Sequence, residues 1–513
     1  MRSGRSSLGG AFAIGAILAA LGCATPSLRD ERWTVLERER YQLHSTMSAA
    51  ETTTLAVELE RFDALVRLLT SASSAKSAVP MQIFVFANGR QYAHFGPKHT
   101  AGVFIPGVRS NLMLIANGSR QLGASEVLLH EYVHHVLRDG SSRVYPRWYD
   151  EGMAELLSTT RIDGEQLEIG GAPASRVPAL HFGRWLPLER VVAVRDYAEL
   201  DEYETDMFYA QAWLLTHYLS FDRPDAIARI GRETLDYFAR LASGADPVAA
   251  FEAAFGESTE TVGAKLREIV SRGHIQIYGY PESRLAFDRA PAAGRAPQPG
   301  EMATRLGEIH LERGAFELAE REFRTAIAVD PSQARAHAGL GDAIRLRDRW
   351  DEAEPHFLRA VELDGDDPLN LLDLGEFYES RGRMKAATLE RLRADLTRAR
   401  QLYRQVLERD ADCTEAWLVL ARTHLAAGER PGFALRFLER ARRLRPSSMP
   451  VLAVLAETQL ARGDELLARD ALRQMFAFRA EGQAGPGIEA VLTEIRERRA
   501  AEAARVGLTP SLN

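Results

Sequence analysis

A spacing of 34 residues dominates the C-terminal half of the chain and limits what that half can fold into. Leu306 and Phe323, for example, recur as Leu340 and Phe357, and glycine follows both leucines. A repeat of this length with small residues at fixed places is one pair of helices, which cannot bury its apolar face alone. Stacked pairs bury a continuous core between neighbours. The period therefore predicts an all-α solenoid over residues 301–479.

These positions resemble the tetratricopeptide repeat, and five copies can be followed along the solenoid. The third copy departs from the pattern, because about 12 extra residues around Thr388–Leu396 lengthen its second helix. A helical tail is expected over residues 480–513. The resemblance implies a protein partner on the concave face of the array, and a rigid spacer is the alternative.

The chain is too long for one core, and its composition changes once. The 513 residues predict more than one domain. Residues Pro281–Gly300 are rich in Pro, Ala and Gly and have no apolar period, which is typical of a linker. A first domain is therefore expected over residues 31–280, and we expect the two halves to fold separately. A formal charge of −7 provides no basic field, so nucleic acid is not an expected partner.

The N-terminus has the pattern of an export signal. Arg2 and Arg5 precede an apolar run, Ala11–Leu21, which is about half the length needed to span a bilayer. The end of this run resembles the lipobox of bacterial lipoproteins, which implies a signal peptide over residues 1–23 and acylation of Cys23. With Ala24 next, the resemblance implies an outer-membrane lipoprotein that faces the periplasm. The alternative is an ordinary secretory signal and a secreted or periplasmic protein.

The first domain begins with strand and helix signals in alternation. Apolar runs bounded by Gly, Asn and Pro predict strands over Tyr41–Ser45, Met81–Ala87, Gly102–Pro106 and Asn111–Ala116. A broad apolar stripe predicts a helix over residues 48–69. A small mixed sheet should therefore precede the next helix, which is predicted over residues 126–138.

That next helix contains the sequence His-Glu-x-x-His. A spacing of four puts His130 and His134 on one face, where both imidazoles can bind one metal ion. Glu131 between them has the place of a general base. We expect His135 to be a partly exposed helix residue, because it points about 100° away from His134.

A second motif, Trp148–Glu155, resembles the second helix of gluzincin metallopeptidases, where Trp-x-x-Glu-Gly supplies the third ligand. The resemblance makes Glu151 that ligand and predicts one Zn²⁺ per chain. Glu155, one turn further on, could orient a ligand histidine from outside the ligand set, and exchanged roles for these two glutamates are the alternative. Gly152 and Ala154 are small enough to let this helix lie against the first.

The whole first domain resembles the peptidase MA-like domains of bacterial proteins. The fold class expected is α+β, a thermolysin-like or gluzincin-like domain with a small mixed sheet and helices, followed by the solenoid. In aminopeptidases of this class a tyrosine of a late helix donates to the tetrahedral intermediate, and Tyr209 matches that position. A buried aromatic residue is the alternative interpretation of Tyr209, and Tyr203 is a nearby competitor.

These features predict an exported zinc metallopeptidase whose repeats recruit substrate or partner proteins. Glu131 would take a proton from water, and Tyr209 would stabilise the oxyanion. Substrate backbone would pair with a strand edge, for which Asn111–Ala116 is the candidate. One alternative is an envelope assembly scaffold with a structural or inactive zinc domain, and another is hydrolysis of a non-peptide bond.

Overall fold

The computed structural model describes residues 28–70, 81–96, 100–105, 111–117, 124–138, 145–163, 165–195, 197–287, 293–446, 448–477 and 487–507. An N-terminal mixed α/β region with a five-stranded sheet is followed by an all-helical array of repeats. The predicted signal segment and Cys23 lie outside the described residues. Among the helices within those ranges, none combines the length and apolar character needed to cross a bilayer.

The elements are numbered in chain order. The strands are β1 Thr34–Glu37, β2 Tyr41–Ser45, β3 Met81–Phe86, β4 Gly102–Ile105, β5 Asn111–Ala116, β6 Arg161–Asp163, β7 Gln166–Ile169 and β8 Tyr278–Pro281. The helices of the α/β region are α1 Ala49–Thr70, α2 Gly89–Tyr92, α3 Ala124–Arg138, α4 Arg147–Ser158, α5 Val177–Phe182, α6 Leu188–Ala193, α7 Glu202–His217, α8 Ala226–Ala242, α9 Pro247–Phe255 and α10 Thr259–Arg272. The array consists of α11 Glu301–Glu312, α12 Phe316–Val329, α13 Ala334–Arg345, α14 Trp350–Leu363, α15 Pro368–Lys385, α16 Leu389–Arg409, α17 Thr414–Ala426, α18 Pro431–Leu444, α19 Met449–Ala461, α20 Glu465–Ala477 and α21 Ile488–Arg505.

The main sheet has the strand order β1-β2-β3-β5-β4. The three central strands are parallel, with Met81 opposite both Tyr41 and Asn111, whereas β1 and β4 run antiparallel at the two edges. The four strands expected from the sequence are all present. The edge strand β1 was not predicted, because its four residues Thr-Val-Leu-Glu are too few to show a period.

Both faces of the central strands are buried, which explains why β3 and β5 are almost entirely apolar. Alternate residues such as Ile83 and Met113 pack towards α1 and α3 in the main core of the region. The residues between them, such as Phe84 and Leu114, point to the opposite face. The helix α3 therefore lies on a sheet that is fixed from both sides.

The opposite face of the sheet is covered by the first helix of the repeat array. Met302, Leu306 and Ile309 of α11 share one buried cluster with the sheet aromatics Phe84 and Phe86. In a solenoid the first repeat has no preceding neighbour and needs a cap. Here the sheet provides that cap, so the two halves share a core.

The segment between the two halves also pairs with the sheet. Arg295 and Val35 exchange both backbone hydrogen bonds at 2.8 Å, which adds a short antiparallel bridge outside β1. The Arg295 guanidinium forms ion pairs with Glu37 at 3.0 Å and with Glu301 at 2.7 Å. Arg295 is thus held against the sheet by backbone pairing and by charge.

The repeats form five successive helix pairs, α11–α20, within the described residues. Their small residues act as the sequence analysis expects: a Cβ on Gly341 would lie 2.9 Å from the ring of Phe357 in the partner helix. The extra residues of the third pair lengthen both α15 and α16. The end of this lengthened pair contacts the final helix, where Arg383 pairs with Glu502 of α21 at 2.9 Å.

Candidate metal centre

Two neighbouring helices, α3 and α4, bring the predicted ligands together. The helix α3 is amphipathic, and Val133, Val136 and Leu137 hold it in the main core. The helix α4 is buried along its whole length, from Arg147 to Ser158. A buried helix fixes the directions of its polar side chains, since they cannot turn towards solvent.

His130, His134 and Glu151 form one compact group with three converging atoms. The two histidine Nε2 atoms lie 3.2 Å apart. Oε2 of Glu151 lies 3.2 Å from Nε2 of His134 and 3.4 Å from Nε2 of His130. Three donor atoms therefore form a nearly equilateral triangle, made by the three residues that the sequence motifs indicate.

Burial and charge act against each other inside this group. Burial would raise the pKa of the Glu151 carboxyl, but the two imidazoles beside it hold that pKa well below its usual range. Burial would lower the pKa of His130, and the Glu151 carboxylate outweighs burial and raises it. The carboxylate is therefore ionised at neutral pH, which is the form that binds a cation.

The residue that contacts a predicted ligand histidine from outside the group is Asp150. Its Oδ1 lies 2.9 Å from Nδ1 of His134, so the ring presents Nε2 to the group. Glu155 was predicted to have this role, but its Oε1 accepts hydrogen bonds from the Nε and Nη2 of Arg176, at 3.1 and 2.8 Å. Glu155 lies one turn further along α4 than Glu151. Its negative charge contributes to the raised pKa of His130.

Tyr197 is the aromatic residue that touches the group. Its hydroxyl donates a hydrogen bond to Oε1 of Glu151, the oxygen that faces away from the histidines. Burial, reinforced by the negative charge of Glu151, raises the pKa of Tyr197 well above its usual value, so the phenol keeps its proton. Sequence reasoning missed this residue, because it lies in a 3-10 turn that carries no motif.

Tyr209 lies one layer further out, on α7. Its ring is buried and stacks parallel to the ring of Tyr197, with centroids 6.1 Å apart, and the guanidinium of Arg176 lies 4.8 Å from its centre. Tyr203, its competitor in the sequence analysis, is 52% exposed, and its hydroxyl accepts a hydrogen bond from the backbone N–H of Arg184. Tyr209 therefore reaches the group only through Tyr197, whose hydroxyl contacts Glu151.

Two further expectations about these helices differ from the structure. His135 is buried rather than partly exposed, because its ring packs beside Tyr132 and Phe104. Gly152 faces α7 instead of α3, and a Cβ there would lie 2.5 Å from the carbonyl oxygen of Ala212. Small size at Gly152 thus permits contact with the later helix.

The strand predicted to pair with substrate backbone, Asn111–Ala116, does not form an edge of the sheet. The strand β5 that leads towards α3 is paired on both sides, with β3 and with β4. Within the described residues, no strand pairs with the outer edge of β4, Gly102–Ile105, whose residues are all partly exposed. The order of strands in the sheet differs from their order in sequence, which is why adjacency along the chain indicated the wrong strand.

Comparison with known proteins concerns the array alone. The tetratricopeptide repeat family matches residues 304–368 and 384–449. The C-terminal half therefore contains tetratricopeptide repeats. Such repeats bind protein or peptide partners. No curated protein matches the chain.

Solved structures of tetratricopeptide-repeat proteins resemble this chain over its array. TTC0263, a thermophilic repeat protein of Thermus thermophilus, is 18% identical, with 40% of this chain and 99% of that chain covered and a TM-score of 0.34. PilF of Pseudomonas aeruginosa is 22% identical, with 40% and 89% covered and a TM-score of 0.29. YrrB, a repeat protein with an unusual peptide-binding site, is 16% identical, with 38% and 90% covered and a TM-score of 0.25.

Proposed function

We propose that the chain is a zinc-dependent metallopeptidase whose tetratricopeptide repeats recruit its substrate or a partner protein. The observation that carries this proposal is the triangle of donor atoms from His130, His134 and Glu151, with sides of 3.2, 3.2 and 3.4 Å. A tetrahedral ion with bonds of about 2.0–2.1 Å has ligand atoms about 3.3–3.4 Å apart. The side chains are thus spaced as zinc requires.

The chemistry of the donor set fits the same ion. Two imidazole nitrogens and one carboxylate oxygen are ligands that zinc accepts, and three protein ligands are the number typical of a catalytic rather than a structural site. Asp150 fixes the tautomer of His134 from outside the set. One zinc per chain, held by His130, His134 and Glu151, is therefore part of the proposal.

The residues around the group have separable roles in peptide hydrolysis. Zinc, when bound, would act as a Lewis acid that lowers the pKa of a water molecule to about 7. Glu131 follows His130 on α3 and is partly exposed, so it can take a proton from water and pass it to the leaving amine. Tyr209 is the candidate donor to the developing oxyanion.

The outer edge of β4, which no described strand pairs with, is the place where we propose that substrate backbone pairs. An extended peptide can add to an exposed strand by main-chain hydrogen bonds, whatever its side chains are. The strand β4 contacts α3, since Phe104 lies 6.1 Å from the ring of His135, centroid to centroid. A peptide on this edge would run beside the helix that carries Glu131.

The cellular location remains part of the proposal. The N-terminal pattern up to Cys23 supports export and a lipid anchor in the cell envelope. Replacement of Cys23 with Ala should release the folded chain from membrane fractions, whereas an unchanged membrane fraction would refute the anchor.

Turnover by Glu131→Gln tests the peptidase proposal. The full chain and this variant, each loaded with zinc, are incubated with a mixture of unstructured peptides, and new peptide ends are counted by mass spectrometry. Loss of a general base should lower the cleavage rate by about 10²–10⁴-fold, with zinc content unchanged. Glu126→Gln, on the same helix and one turn before His130, is the matched control and should cleave like wild type. Equal cleavage by Glu131→Gln, or none by wild type, would contradict the proposal and leave the scaffold alternative.

A further inference from the structure

The last repeat contacts the α/β region through one buried arginine. The Nη2 of Arg147 donates a hydrogen bond to the backbone carbonyl of Phe476 at 3.3 Å, and its Nε donates to the carbonyl of Arg195 at 3.4 Å. Phe476 lies in the final turn of α20, whereas Arg147 is the first residue of α4. The series of five helix pairs therefore contacts the α/β region at both of its ends, at α11 and at α20.

Arg147 also lies against the tyrosine that holds Glu151. Its guanidinium carbon is 5.0 Å from the centre of the Tyr197 ring, within the range of a cation–π contact. The Tyr197 hydroxyl donates to Oε1 of Glu151, which leaves Oε2 facing the two histidines. A continuous series of contacts thus joins the end of the repeats to one corner of the donor triangle.

We propose that Arg147 and Tyr197 are positioning residues through which the repeat array controls the metal centre. The Phe476 carbonyl of α20 accepts a hydrogen bond from the Arg147 guanidinium, which lies against the Tyr197 ring. The Tyr197 hydroxyl donates to the carboxylate of Glu151. This inference rests on the proposed function, since it concerns the same zinc site. A partner that moves α20 changes the affinity of the site for zinc, and zinc changes the affinity for that partner by the same factor.

The shape of arginine explains why this residue suits the role. A guanidinium is planar, so it can stack on an aromatic ring while the N–H groups on its edge bond two carbonyls. An ammonium group has no such plane, and Arg147→Lys should keep the charge while losing the stacked geometry. Because Arg147 is only 4% exposed, solvent cannot replace either contact.

Zinc affinity in the full chain tests the inference. The dissociation constant for zinc is measured by competition with a chelator for wild type, Arg147→Lys and Tyr197→Phe. Loss of a residue that orients a ligand typically weakens metal binding by about 10–100-fold, and we expect both variants to fall in that range. Tyr197→Phe removes only the hydroxyl and keeps the buried ring, so this variant should fold. It provides the test if Arg147→Lys does not fold. Arg29→Met is the control, because it removes another contact with the array, to Thr325 at 2.9 Å, and should bind zinc like wild type.

A double-mutant cycle separates the effect of the repeats on zinc binding from the effect of Arg147 itself. Phe476→Pro disturbs the last turn of α20 and displaces its carbonyl, since proline cannot donate the helix hydrogen bond. Phe476→Pro alone should weaken zinc binding, and no loss in that variant would refute control by the array. Combined with Arg147→Lys, it should weaken zinc binding no further than Arg147→Lys alone, because both break the same series of contacts. Additive losses would refute control by the array, and unchanged affinity in Arg147→Lys and Tyr197→Phe would refute the positioning roles. A wild type without zinc would refute the proposed function itself, which is a distinct result.

Discussion

At the scale of single residues, Tyr209 and Tyr197 have different positions and should have different functions. The Tyr197 hydroxyl donates a hydrogen bond to Glu151. The Tyr209 ring stacks on the Tyr197 ring and contacts the guanidinium of Arg176. A ligand-holding phenol influences metal binding, and a phenol that donates only to an oxyanion influences turnover. Substitution of each by phenylalanine can therefore separate the two roles.

Tyr209→Phe should lower kcat by about 10²–10³-fold and leave KM and zinc content nearly unchanged. The reason is that an oxyanion exists only after water attack, so the hydroxyl stabilises the transition state and not the bound substrate. Steady-state kinetics with a cleaved peptide measures this. Wild-type kcat combined with lower stability would instead make Tyr209 a core residue.

The grouping of the three predicted ligands could be predicted from the sequence, because helix geometry fixes which residues share a face. His130 and His134 are four residues apart, and Glu151 sits in a second motif, so local spacing was sufficient for all three. Tyr197 and Arg176 reach the site from loops and short helices. Their positions depend on tertiary packing, for which no local pattern exists.

At the scale of elements, the approach of α4 to α7 determines where Glu151 points. A Cβ on Gly152 would overlap Oγ1 of Thr216 and lie 2.5 Å from the carbonyl oxygen of Ala212. A backbone oxygen cannot move aside without moving its helix. The residue after Glu151 is therefore limited to glycine by the packing of the two helices.

Gly152→Ala should destabilise the chain by about 1–3 kcal/mol and reduce its zinc content, because the added methyl group pushes α4 away from α7. Gly231→Ala is the matched control, since an added Cβ on that helical glycine meets nothing within 4 Å. It should keep or raise stability, as alanine favours helix by about 1 kcal/mol over glycine. Urea unfolding with zinc analysis provides the measurement, and equal behaviour of the two variants would contradict this packing argument.

The sequence predicted the four strands β2 to β5 and the helices α1, α3, α4 and α7, but neither the other elements of the α/β region nor their arrangement. The strands β2 to β5 follow from apolar runs, and the sheet edge does not, because β4 folds back outside β5. The short strands β6, β7 and β8 form a second sheet from three to four residues each, too few to show a period. Pairing between distant segments, such as Gln166 with Pro281, is not a local property.

At the scale of the whole molecule, the two halves share a core, which argues against the expectation that they fold separately. Removal of α11 would expose the aromatic face of the sheet, including Phe84 and Phe86. A contiguous exposed apolar face of this kind is an aggregation liability. The array is therefore a structural part of the α/β region as well as a binding surface.

Leu306→Ala should destabilise both halves together, by about 2–5 kcal/mol, because this buried side chain lies between α11 and the sheet. Hydrogen exchange followed separately in the two halves measures the effect. Leu318→Ala on α12 is the control, since that leucine is 42% exposed. Destabilisation confined to the repeats would show that the halves are independent.

Acidification should weaken the same interface. Burial, with the positive charge of Arg305 nearby, lowers the pKa of His44 to about 4, despite the bond to Gln82 and the acidic Glu301 and Glu308. In the unfolded chain the pKa of His44 is about 6.5, so on acidification the unfolded chain takes up a proton before the folded chain does. The free energy of unfolding therefore falls as pH drops from about 6.5 to about 4.

For His44 this loss amounts to about 3 kcal/mol at most. Comparison with His44→Asn isolates it from the other titrating groups, because the variant should lose less stability over that interval. Measurements of unfolding free energy at several pH values decide this. Parallel curves for the two proteins would show that His44 does not contribute.

The most direct test of the account is the zinc content of the full chain. After reconstitution with zinc and removal of the excess, elemental analysis should find about one zinc per chain in wild type. The double variant His130→Ala with His134→Ala should bind none stoichiometrically, because it keeps one corner of the donor triangle. Wild type without zinc, or a double variant with the same zinc content as wild type, would contradict the metal centre on which the proposed function depends.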